Sequence, residues 1–92
     1  MAAVTSWKDL FCHWPAEMPR RGVLVAAFGE QIPFSSFSTA DAFLLLERQS
    51  PDAMGARTIL LPYDAVLGLK IIDVVKIRSF QSLGFDIPAA HK

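Results

Sequence analysis

Between Gly22 and Asp73 the chain divides into five short apolar segments cut by tight polar breaks, and no gap between them is long enough for a crossover helix. Parallel neighbours need a connection of about a dozen residues, so strands this closely spaced pair antiparallel. The first segment, Gly22 to Phe28, is apolar on both faces, with Val23, Val25 and Ala27 alternating with Leu24, Ala26 and Phe28. Both faces must therefore be covered. In the second segment Ile32 and Phe34 share one parity and Phe37 takes the other. A one-residue change of phase marks a bulge or sharp bend, and Pro33, which has no N–H to donate, fits irregular pairing there. The third segment runs from Phe43 to Arg48 and is followed by a turn-rich loop, Gln49 to Ala56, containing Pro51-Asp52 and Gly55. Arg57 to Leu61 and Val66 to Ile72 complete the set, joined by Pro62-Tyr63-Asp64-Ala65. Five strands in this order, the second of them bent, predict an all-β protein whose residues 22–73 close into a five-stranded, strongly bent antiparallel barrel.

A helix is predicted over residues 6–14. Ser6 stands where an N-cap belongs, Asp9 follows three positions later as a short capping-box partner, and Pro15 stops the run. Trp7, Leu10, Phe11 and Trp14 recur at the spacing of one helical face. Two turns do not persist alone, so this face must dock on the barrel or on a partner. Residues 15–21 hold two prolines and read as a linker. Val74 to Leu83, the start of a C-terminal extension over 74–92, reads either as a further short helix carrying Val74, Ile77, Phe80 and Gln81 or as an extended arm. The whole of 1–92 is expected to be one domain.

Composition narrows the function classes. Hydrophobic residues make up 52% of the chain and charged residues 20%, more apolar side chain than a domain of 92 residues can bury in its own core. A homo-oligomer, ring or dimer, is the expected state. Nine basic side chains balance nine acidic ones, which argues against strong non-specific binding of nucleic acid. Cys12 is the only cysteine, so no internal disulfide forms. Neither a signal-peptide pattern nor a membrane-length apolar run is present, and a cytoplasmic location without membrane contact is expected. Cys12-His13 with the distant His91 makes a poor metal set. Ser35, Ser36 and Ser38 have no histidine near them in sequence, and no Gly-rich phosphate loop occurs. Neither an enzyme nor a cofactor is expected.

The segment order resembles the Sm/LSm-like family, and most nearly its bacterial Hfq-like branch. The first Sm motif is matched by Val23-Leu24-Val25-Ala26-Ala27-Phe28-Gly29, by the bent run Ile32 to Phe37, and by Asp41-Ala42-Phe43-Leu44-Leu45-Leu46. The second is matched by Thr58-Ile59-Leu60-Leu61-Pro62-Tyr63-Asp64-Ala65-Val66. The resemblance covers residues 22–72. It implies an Sm-like, SH3-like barrel, a ring of subunits joined by pairing the fourth strand of one to the fifth of the next, and binding of single-stranded RNA. The residues it nominates for RNA are Asp41, Phe43, Arg57, Tyr63 and Lys70. Those it nominates for the oligomer interface are Ile59, Leu60 and Leu61 on the fourth strand, and Leu67, Leu69 and Ile71 on the fifth.

The chain departs from the family pattern at the functional positions. Leu45 stands where the family has a base-reading Asn, and Pro62-Tyr63-Asp64 replaces a cationic or neutral donor set. Taken without the resemblance, Asp41 reads as a turn-capping residue, Tyr63 as a ring packed at a corner and Glu47-Arg48 as a strand-end ion pair or an exposed edge. Arg20, Arg21, Lys70, Lys76 and Arg78 form either a phosphate-binding rim or ordinary solvated charge. Two functions follow as expectations: an RNA-binding Sm-like oligomer, and a structural or protein-interaction barrel that assembles without nucleic acid.

Overall fold

The computed structural model describes residues 3–88. Helix α1 spans Trp7–Cys12 and is followed by strands β1 (Gly22–Ala26), β2 (Gln31–Phe34), β3 (Ser36–Thr39), β4 (Phe43–Glu47), β5 (Thr58–Pro62) and β6 (Val66–Lys70). Short 3-10 turns occupy Ala27–Gly29, Tyr63–Ala65 and Ile77–Leu83, so the C-terminal segment is helical only in this tighter form.

The five-stranded barrel expected from the sequence does not form. The strands make two three-stranded antiparallel sheets, ordered β2-β1-β6 and β3-β4-β5. Two local features account for the difference. The bend anticipated in the second segment breaks it in two at Ser35, whose N–H and Oγ both reach the Glu47 carbonyl, at 2.8 and 3.2 Å. Residues before Ser35 pair with β1 and residues after it with β4. The 3-10 turn Tyr63–Ala65 then carries the chain from β5 into the other sheet. Among the described residues β5 and β6 share no ladder, and closure would require one.

One apolar core joins the two sheets. Leu24, Ala26, Ile32, Phe34 and Val66 enter it from the first sheet, and Phe37, Leu44 and Leu46 from the second. Cross-strand partners share a face, which is why Leu24 stands level with Ile32 and Leu69, and Leu46 with Phe37 and Ile59. Gly22 is required at the start of β1, because a Cβ there would come within 2.6 Å of the Lys70 carbonyl oxygen.

Helix α1 plugs one side of this core. Ser6 Oγ accepts the Asp9 N–H at 3.1 Å, and the Asp9 carboxylate returns the contact to Thr5, one residue beyond the position a capping box uses. The helix ends at Cys12, two residues before the predicted end. Phe11 and Trp14 stack at 5.6 Å between ring centroids, and each meets the Phe37 ring edge-on at 4.9 Å. Trp14 Nε1 donates to the Met18 carbonyl at 3.0 Å, so the indole is buried with its polar group satisfied. The aromatic stripe is therefore core.

Candidate functional site

The residues nominated for RNA binding do not converge. Three of them share one corner, where β3 turns into β4. Ala40 N–H donates to the Phe43 carbonyl at 2.9 Å and closes that turn. The Tyr63 hydroxyl, arriving from the 3-10 turn after β5, donates to the Ala40 carbonyl at 2.9 Å. Asp41 does not cap the turn. Its carboxylate meets Lys8 Nζ of α1 at 2.6 Å and projects into solvent. The Lys8 hydrogen bond holds the Asp41 carboxyl below its ordinary range, and Asp41 in turn raises the Lys8 ammonium. Burial against the core raises the Tyr63 phenol. The Phe43 ring is half-exposed beside Pro62, its cross-strand partner.

Arg57 and Lys70 lie away from this corner. Arg57 precedes β5 at the end opposite Tyr63, a separation of about 20 Å along an extended strand, and its carbonyl accepts the Arg48 N–H. Lys70 ends β6 in the other sheet, where its Nζ reaches Gln31 Oε1 at 3.2 Å.

The cationic rim is also dispersed. Arg20 donates to the Phe37 carbonyl at 2.9 Å and lies over the Phe37 ring. Arg21 grips the Asp73 carboxylate through Nε and Nη2, with a shortest contact of 2.6 Å. Lys76 and Arg78 stand exposed on the C-terminal segment. Most cations near β1 thus meet acceptors of their own chain.

No protein-family model, curated protein or solved structure matches this chain.

The six residues nominated for an interface divide by face. Ile59, Leu61, Leu69 and Ile71 turn inward and pack against the core. Leu60 and Leu67 turn outward, 62% and 63% exposed. Leu60 opposes half-buried Leu45 on the outer face of the second sheet, one pair along from Phe43 and Pro62. Leu67 is the extra residue of a β-bulge, because Val25 pairs with Gly68 while Ala26 pairs with Val66. Each leucine sits on an edge strand whose far side has no partner among the described residues.

Sequence reasoning passed over the exposure of Phe28 and left Glu47-Arg48 open. Phe28 is fully exposed at the tip of the β1–β2 turn with φ of 66°. The pair of apolar residues before Gly29 hides this, since Phe28 alternates in step with the strand. Of the two readings of Glu47-Arg48, the ion pair does not form among the described residues, and Glu47 stands exposed at the end of β4. Glu47 accepts from Ser36 Oγ at 3.3 Å, and Arg48 Nε donates to the Ser50 carbonyl at 2.9 Å. The turn-forming loop that follows was the available signal, because it curls back under the arginine. No group of three or more metal-ligating side chains occurs among the described residues, and His91 lies outside them. No described helix is long and apolar enough to cross a membrane.

Proposed function

We propose that this chain is an assembly and protein-interaction module whose copies join through the open edges of β5 and β6. The observation that carries the reading is the pairing of two features on each edge: a five-residue strand with one side unpaired, and an outward leucine, Leu60 or Leu67, at its centre or start. An open edge presents a row of unpaired backbone groups, and an apolar side chain beside it makes that row adhesive rather than protected. Phe28, Val74 and Met54 add exposed apolar surface elsewhere, in keeping with a composition too apolar for an isolated small domain. The state this favours is a homo-oligomer, ring or dimer.

Single-stranded RNA is the second reading. The half-exposed Phe43 ring favours it, since rings in reach of solvent can stack on bases. Against it stand the balanced charge, the engagement of Lys70, Arg20 and Arg21 by internal acceptors, and the place of Arg57 at the far end of β5 from Tyr63.

Light scattering across a concentration series separates the outcomes. The wild-type chain is expected at a multiple of 10.1 kDa, and Leu60→Asp and Leu67→Asp are expected to fall to the single-chain mass with unchanged circular dichroism. A wild-type protein at the single-chain mass throughout would remove the proposal. Fluorescence anisotropy with uridine-rich and adenosine-rich oligonucleotides at two salt concentrations tests the other reading. Salt-sensitive binding at about micromolar affinity would select RNA.

A further inference from the structure

A second, chemically distinct feature lies on the far side of the molecule from the Tyr63 corner. An open cleft of about 630 Å³ separates the Ser35 bend from the start of the loop after β4. That volume falls within the range of small-molecule sites, about 300–1,000 Å³. Its lining combines polar residues, Ser35, Arg48 and Ser50, with apolar Pro33 and Ile72. Two guanidinium groups line the cleft and no carboxylate does.

The two arginines differ. Arg21 is already answered by Asp73, which approaches from the next cleft. Arg48 is half-buried and ends no ion pair among the described residues. Its Nε is fixed on the Ser50 carbonyl at 2.9 Å and its backbone N–H on Arg57. The nearby Asp52 feels its charge without forming an ion pair with it or lining the cleft; its Oδ1 accepts the N–H groups of Met54 and Ala56 at 2.9 and 2.8 Å. Arg48 is thus an arginine held at one side-chain nitrogen, its terminal amino groups having no hydrogen-bond partner among the described residues. A guanidinium fixed in this way offers parallel donors to an oxyanion without first losing side-chain freedom.

We propose that this cleft binds a small organic oxyanion, a carboxylate or phosphate monoester on a compact apolar body, with Arg48 holding the charged group and Pro33 and Ile72 covering the body. The inference does not depend on assembly through β5 and β6.

The test is an amide and arginine-Nε NMR titration of the full chain at constant ionic strength, with benzoate, phenyl phosphate and inorganic phosphate as probes. Saturable shifts at Arg48 Nε–H and at the amides of Ser35, Gln49 and Ser50 are expected with benzoate, phenyl phosphate or both, and the tighter of the two identifies the charged group. Arg48→Gln is expected to weaken binding about tenfold or more, and Arg48→Lys to recover only part of it. Should Arg48→Gln fail to fold, Ile72→Asp serves, because Ile72 is 64% exposed and the change sets a negative charge at the cleft mouth. It too is expected to weaken binding about tenfold. Absence of saturation at about 50 mM of either organic probe would overturn the proposal. So would inorganic phosphate binding as tightly as both, or affinities indifferent to both substitutions.

Discussion

The Arg20 guanidinium lies 3.8 Å above the centroid of the Phe37 ring and donates from Nη2 to the carbonyl oxygen of the same residue at 2.9 Å. One side chain from the linker thereby fixes both the ring and the backbone of the residue on which Phe11 and Trp14 converge. Arg20→Met is expected to cost about 1–2 kcal/mol, combining a cation–π contact with a charge-assisted hydrogen bond. Arg20→Lys should restore less than half, because an ammonium cannot cover the ring and donate in plane at once. Urea midpoints at unchanged slope provide the measurement.

Acid should destabilise the fold through three carboxylates. Asp73 is held low by its hydrogen bonds from Arg21, Asp41 by that from Lys8, and Asp52 first by the Ala56 N–H. Each folded-state value lies below the unfolded one. The stabilisation is therefore complete above the ordinary carboxylate pKa of about 3.9 and drains away as pH falls through the lower folded values. Urea midpoints should stay level from neutrality to about pH 5 and decline below about pH 4. Asp73→Asn should shallow that decline, and a decline as steep as wild type would show that Arg21 contributes nothing there.

Phe28 should be replaceable at a profit in stability. Its φ of 66° places a bulky side chain in the left-handed region while its ring touches nothing that burial would reward. Such a backbone costs about 1 kcal/mol or more for a residue of this kind, and much less for Asn. Phe28→Asn is expected to raise the urea midpoint by about 1 kcal/mol equivalent. A lowered midpoint would mean the ring packs in solution against something.

Local signals in this chain were readable, and relations between distant positions were not. The Ser6 cap, the core-forming stripe of Trp7, Phe11 and Trp14, and the bend after Pro33 all follow from neighbours within a few residues, whereas the helix stops at Cys12, short of the Pro15 that the sequence offers as its end. Whether that bend stays within one strand or splits it depends on Ser35 finding the Glu47 carbonyl, twelve positions away, and no local pattern encodes that choice. The same holds for the interface nominees. Strict alternation puts Leu67, Leu69 and Ile71 on one face, but the bulge opposite Val25 and Ala26 turns Leu67 out while Leu69 faces the core. Asp41 reads as a cap because aspartate commonly plays that part. Its partner proved to be Lys8, 33 residues earlier on a helix whose docking site the sequence does not state.

The order of the strands has a consequence for synthesis. The sheet β3-β4-β5 is a simple meander that completes itself as it emerges, whereas β1 waits for β6, and Ala26 meets Val66 across 40 positions. A nascent chain thus displays one bare flank of β1 until Val66–Lys70 has been made, and that flank is where a chaperone would meet unpaired backbone during synthesis.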